Sequence, residues 1–193
     1  MAPRDGRELE EMLRFSMNFG HPLAIRYPRG AAPETVSESR EEIVCGKAEV
    51  LRRGRDVLLF AAGRMVETAL EAAGILSEKG CSPTVVNARF IKPLDEELLQ
   101  ELSADHRLIV VLSENCRSGG LGEAVEDTVF RRRLPCEVLN LEPEDAFFPQ
   151  GKPAELRKKI GLDAESIAEA ILSRGIPGTG KVRRFMERFG RKS

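Results

Sequence analysis

The sequence predicts an α/β protein: a three-layer α/β/α unit on a mostly parallel sheet, preceded by a short piece of a second unit. Three observations carry this. From about residue 43 onward, strand-length apolar runs alternate with helix-length amphipathic segments. The runs Val57-Leu58-Leu59-Phe60 and Leu108-Ile109-Val110-Val111 are continuously apolar, as strands are when helices cover both sheet faces. The 193 residues are 41% hydrophobic and 32% charged, which supports a packed core and argues against disorder.

Arg7 to Phe19 reads as an amphipathic helix with Leu9, Met12, Leu13, Ser16 and Met17 on one face. Asp5 suits its N-cap and Gly20 its stop. Leu23-Ala24-Ile25 is expected to be a strand ending at the corner Arg26-Tyr27-Pro28-Arg29-Gly30. One helix and one strand bury too little to fold alone, so this piece needs a partner surface. Ala31 to Glu42 is polar, contains Pro33 and reads as a linker.

Gly46–Leu51 and Val57–Ala62 are expected strands around the turn Arg52–Asp56. Val66–Glu78 is a helix closed by Gly80, Pro83–Asn87 a strand, and Asp95–Ser103 a helix capped by Asp95. Leu108–Leu112 is a buried strand, and Gly119-Gly120-Leu121-Gly122 opens a helix from Leu121 to about Arg131. Glu137–Leu141 is the last strand, followed by helices at Pro153–Ile160 and Ala164–Ser173. The expected division is a remnant at 1–30, a linker at 31–42, a complete domain at 43–174 and a basic tail at 175–193.

A net charge of −1, from 30 basic and 31 acidic residues, gives no electrostatic footprint for nucleic acid. No apolar run nears the roughly 20 residues of a membrane span, and Met1-Ala2-Pro3-Arg4-Asp5 lacks a signal-peptide core. A cytoplasmic protein is expected. Cys45, Cys81, Cys116 and Cys136 lie 20 to 36 residues apart, and His21 and His106 lie near no cysteine cluster. That spacing does not suit zinc, so four reduced cysteines, mostly packing as small hydrophobes, are expected.

Several segments carry candidate chemistry. Gly175-Ile176-Pro177-Gly178-Thr179-Gly180-Lys181 mimics a phosphate-binding loop, but Val182 replaces the Ser or Thr that holds magnesium, and the segment follows a helix. It reads as a hinge before a tail whose six cations (Lys181, Arg183, Arg184, Arg188, Arg191, Lys192) face only Glu187. Phe185, Met186 and Phe189 share a helical face there, which suits a partner groove, an anionic surface or the protein's own domain. Gly119-Gly120-x-Gly122 could receive an anion at a helix start. Glu114 and Glu123 would repel it, so close helix–strand packing is the better reading. Arg26–Gly30 and Arg89–Asp95 each place cations and a proline after a strand, where an Arg fork can meet phosphate or carboxylate. Pro28 rigidifies the corner holding Arg29, and residue chemistry leaves two readings open: an anion-binding site, or an ion pair with linker glutamates.

An ordered series of motifs adds a resemblance. These are Met1-Ala2-Pro3-Arg4-Asp5, Glu8-Leu9-x-x-Met12-Leu13, Ala24-Ile25-Arg26-Tyr27-Pro28-Arg29-Gly30, Asn87-Ala88-Arg89-Phe90-Ile91-Lys92-Pro93-Leu94-Asp95-Glu96 and Ser113-Glu114-Asn115-x-x-x-Gly119-Gly120-x-Gly122. Leu139-Asn140-Leu141, Phe147-Phe148-Pro149-Gln150-Gly151 and Gly161-Leu162-Asp163-Ala164 continue it. Over about residues 1–174 the series resembles the C-terminal third of the 1-deoxy-D-xylulose-5-phosphate synthase family, thiamine-diphosphate enzymes of the transketolase superfamily.

The resemblance implies a transferase reaction, the decarboxylative condensation of pyruvate with D-glyceraldehyde 3-phosphate that feeds isoprenoid, thiamine and pyridoxal synthesis. It implies thiamine diphosphate and Mg2+ in an intact homodimeric enzyme, the end of a pyrimidine-binding domain before residue 31, and a transketolase C-terminal domain from 43. It places Arg29, with Arg26 beside it, at the substrate phosphate. The family's Gly-Asp-Gly motif, activating glutamate and site histidines have no counterpart among these residues. The chain is therefore expected to be a fragment or split subunit that needs the enzyme's N-terminal domains. Alone it should bind no cofactor, hold no catalytic residue and turn nothing over. Competing readings are a non-catalytic C-terminal dimerisation or regulatory module, and the β subunit of a 2-oxo acid dehydrogenase. Cys116-Arg117-Ser118 departs from the family's more apolar pattern, and the tail after Arg174 has no family counterpart.

Overall fold

Alternation of buried side chains along the strands sets the architecture. The computed structural model describes residues 1–31, 36–37 and 41–175. Five strands, β1 (Glu49–Arg52), β2 (Val57–Ala61), β3 (Pro83–Asn87), β4 (Leu108–Leu112) and β5 (Glu137–Asn140), form one sheet in the order β1-β3-β2-β4-β5. β3, β2, β4 and β5 run parallel, and β1 is antiparallel at the edge beside β3. The helices are α1 (Gly6–Asn18), α2 (Met65–Glu78), α3 (Glu96–Ser103), α4 (Leu121–Arg132), α5 (Pro153–Lys159) and α6 (Ala164–Ser173).

Val57, Leu59 and Ala61 of β2 join Val85, Val110, α2 and α6 in one core, while Leu58 and Phe60 join Val86, Ile109, Val111, α3 and α4 in the other. Adjacent strand residues thus feed opposite faces, the period-2 geometry of a sheet covered on both sides. Each fully buried Leu, Ile, Val or Phe contributes about 1.5–3 kcal/mol relative to exposure, and β2 has five buried residues in a row. The three-layer expectation holds.

β1 and β2 are not neighbours; β3 lies between them. The connecting turn crosses the start of β3, where Arg55 N and Asp56 N both donate to Ser82 O at 2.8 and 3.0 Å. Gly54 N donates to Thr84 Oγ1 at 2.8 Å, and a Cβ on Gly54 would lie 2.3 Å from Ser82 O. His106 completes the tie. Its Nδ1 lies 2.8 Å from Leu102 O, a pure acceptor, so Nδ1 carries the proton and Nε2 accepts from Thr84 Oγ1 at 2.8 Å.

The amino-terminal piece differs from expectation in two ways. Asp5 does cap α1, its side chain accepting from Glu8 N, but of the predicted face Met12 is buried and Leu9 and Ser16 half-buried, while Glu8 beside it is buried too. Leu13 is 49% exposed and Met17 84%. Leu23–Ile25 forms no strand. Among the described residues the backbone around it bonds to Met1, through Met1 N to Ala24 O (2.7 Å) and Arg26 N to Met1 O (2.9 Å), too few bonds for a ladder. The needed partner surface is Ile43 and Phe90, which form a third core with Met1 and Met12 against Phe15, Leu23 and Ile25.

Two segments with candidate chemistry, residues 176–180 of the loop mimic and the basic tail 181–193, lie outside the described residues. No described helix is long and apolar enough to cross a membrane.

Candidate functional site

β2 and β4 are neighbours whose helices lie on opposite faces, so the chain diverges past their C-terminal ends and leaves the crevice where doubly wound sheets take ligands. Residues 1–5 lie beside it, past the C-terminal ends of β3 and β2. Ala2 N donates to Arg89 O just after β3 (2.9 Å), and a Cβ on Gly63, after β2, would meet Ala2 Cβ at 3.4 Å.

A fully buried ionic network fastens that segment. Arg89, 1% exposed with φ of 55°, donates from Nε to Glu8 Oε1 (3.0 Å) and from Nη2 to Glu49 Oε2 (2.8 Å). Arg4 Nη1 also donates to Glu49 Oε2, Arg4 N to Glu8 Oε2 (2.7 Å), and Asn87 Nδ2 to Glu8 Oε1 (2.8 Å). Described residues of the expected linker join in, with Val36 N on Asp5 Oδ2 (3.0 Å) and Glu41 N on Glu49 Oε1 (3.1 Å). The Arg89 fork therefore meets the chain's own carboxylates and is structural. Buried ions need such complete pairing, because an unpaired charge there is strongly destabilising. Sequence reading missed Arg4, Glu8 and Glu49 as partners, since none is local to Arg89.

The two candidate phosphate ligands separate. Arg29 lines a cavity of about 290 Å³ with Pro3, Leu9, Tyr27 and Arg64. Arg26 lines another of about 580 Å³ with Lys92, Asn115, His21 and Cys45. Both arginines are exposed, and among the described residues Arg29 makes no ion pair. Arg64 was missed by sequence reading. Its only signal was a cation immediately before a helix, where Ser, Thr, Asp or Asn is usual.

The glycine-rich loop is settled by packing. A Cβ on Gly122 would lie 2.0 Å from Asn140 Nδ2, and one on Gly120 2.5 Å from Cys116 O. The start of α4 does receive an anion, but an internal one: Leu121 N and Gly122 N donate to Glu142 Oε1 and Oε2, both at 2.9 Å. Burial pushes the Glu142 carboxyl above its usual range, against the lowering effect of Gly122 N, Leu121 N, Asn140 and Ser113. Of the two flanking carboxylates, Glu123 accepts from the loop's own Gly119 N (2.5 Å) and Glu114 pairs with Arg157 Nη1 (2.9 Å).

All four cysteines are free. Cys81 alone is buried, its thiol pushed up to about 11 by burial and by Asp56. Cys45 and Cys116 are exposed, which corrects the expectation that most pack as small hydrophobes. Among the described residues no group of three or more His, Cys, Asp or Glu side chains could hold a metal ion. Glu142 fills the anion-receiving start of α4, so that helix start offers no open anion site.

Comparison with known proteins agrees with this architecture. Residues 46–167 match the family described as "Transketolase, C-terminal domain", and the chain belongs to it. Within it, the chain is similar to the C-terminal portion of 1-deoxy-D-xylulose-5-phosphate synthases. It is 44% identical over 174 residues to that of Caldanaerobacter subterraneus subsp. tengcongensis, covering 90% of this chain and 28% of the relative. The Dictyoglomus thermophilum synthase is 42% identical over 173 residues, covering 89% and 28%. The chain thus spans little more than a quarter of these relatives' length. A solved "Split gene transketolase, inactive beta4 tetramer" superposes with a TM-score of 0.80 at 30% identity, covering 89% of this chain and 55% of that one.

Proposed function

We propose that the chain is the C-terminal part of a 1-deoxy-D-xylulose-5-phosphate synthase, a cytoplasmic thiamine-diphosphate transferase condensing pyruvate with D-glyceraldehyde 3-phosphate for isoprenoid and thiamine synthesis. The observation that carries this is 42–44% identity to such synthases across about nine-tenths of the chain. Thiamine diphosphate supplies the carbanion chemistry when bound, and on this reading it and Mg2+ sit on the N-terminal domains of a homodimer. Residues 1–30 complete a pyrimidine-binding domain, 31–42 link it to the domain at 43–174, and 175–193 form the basic tail.

This chain's own contribution is positional. Arg29, fixed by Pro28 beside the sheet's C-terminal edge, holds the phosphate of the triose so that its aldehyde is oriented for attack. Arg26 faces the adjacent cavity and contributes positive potential from there. In the complete enzyme, Arg29→Ala is expected to raise the KM for D-glyceraldehyde 3-phosphate roughly tenfold or more while leaving that for pyruvate nearly unchanged. Equal effects on both substrates would remove the assignment. Alone, the chain is expected to show no tight binding of thiamine diphosphate by calorimetry and no turnover.

A second reading is favoured by the split-gene transketolase structure. Here the chain is a separately encoded subunit or a non-catalytic dimerisation module, and the mass of the source polypeptide separates the two.

A further inference from the structure

We propose that Arg64 is a second phosphate-binding cation, which with Arg29 grips the phosphate monoester of the aldehyde substrate. The inference rests on the reading of Arg29 above and extends it to a residue outside every motif that marks the family resemblance.

Arg64 and Arg29 line the same cavity of about 290 Å³. Neither makes an ion pair or a side-chain hydrogen bond among the described residues, whereas Arg117, Arg131, Arg132 and Arg157 each hold a carboxylate. Two unpaired guanidinium groups facing one cavity repel each other, so the fold gains nothing from the arrangement. An anion between them reverses the sign.

The position of Arg64 points the same way. It is the N-cap of α2, makes no capping hydrogen bond and sets a positive charge against the positive end of the helix. A residue that breaks a local rule without structural return marks a functional constraint. The first-turn amides are already bonded, Met65 N to Ala62 O and Val66 N to Gly63 O, so the side chains must hold the ligand. The carboxylate lining the cavity, Asp5, accepts from Glu8 N and Val36 N, and Arg4 is committed to Glu49. A phosphate monoester carries nearly two negative charges at neutral pH, and two planar forks match its charge and its oxygens.

The test is steady-state kinetics of the complete enzyme carrying Arg64→Gln, with D-glyceraldehyde 3-phosphate compared with unphosphorylated D-glyceraldehyde, and with inorganic phosphate as competitive inhibitor. KM for the phosphorylated aldehyde should rise roughly tenfold, with phosphate inhibition weakened to match and kcat and the pyruvate and D-glyceraldehyde constants unchanged. Arg64→Lys, which keeps the charge but not the fork, should lose less, and it serves if Arg64→Gln fails to fold. Equal losses with both aldehydes, or unchanged phosphate inhibition, would overturn the proposal. Arg29→Gln in parallel separates the two readings. If it too is silent toward phosphate, the cavity is not a phosphate site; if it alone responds, only Arg64 is dismissed.

Discussion

Glu142 shows how one residue can cap a helix at a cost. Its carboxylate satisfies two amides at the start of α4, yet burial raises its pKa above the usual 4.5. The folded state therefore holds the proton more tightly than the unfolded chain. Stability from this group is full below about pH 4.5 and is lost as pH rises through the raised folded value. Thermal melts of the 193-residue chain at closely spaced pH should show wild type losing stability across that window relative to Glu142→Gln, which cannot ionise. Parallel pH profiles for the two would show that burial does not control this carboxyl.

At the scale of elements, helices and strands were legible because their signals are local. Asp5 and Asp95 cap α1 and α3 through Glu8 N and Leu98 N, and the apolar runs of β3 and β4 span the strands observed. Relations between elements were not legible. Nothing near Arg52–Asp56 says that the turn passes across β3, which pairs with both β1 and β2. Gly54 exists for that crossing, since a methyl group there would press on Ser82 and Pro83 backbone atoms. Gly54→Ala should lower unfolding free energy by about 1–3 kcal/mol in urea titration. Gly74, inside α2 with nothing within 4 Å of a built Cβ, is the control, where Ala should gain about 0.5–1 kcal/mol. Similar shifts in both variants would refute the crossing argument.

At the scale of the whole molecule, the amino-terminal segment is joined to the α/β domain by the third core and by the Arg4–Glu8–Glu49–Arg89 network over the sheet edge. Arg89→Met removes one cation and leaves Glu8 and Glu49 buried with less compensation, a loss of about 3–5 kcal/mol. Hydrogen exchange in α1 is then expected to accelerate well before exchange in β2 and β4. Unchanged protection of α1 would mean that the apolar core alone docks this segment.

The sequence by itself determined the fold class, the family and the order of elements from β1 onward, because periodicity, caps and ordered motifs are written in neighbouring residues. It also singled out Arg29, through a rigid corner after an apolar run. Only the tertiary structure separated Arg26 from Arg29, brought Arg64 to Arg29, turned the Arg89 fork inward and supplied Glu142 to the α4 start. Those outcomes depend on charges far apart in the chain, and burial selects partners by proximity in space, not by spacing in sequence.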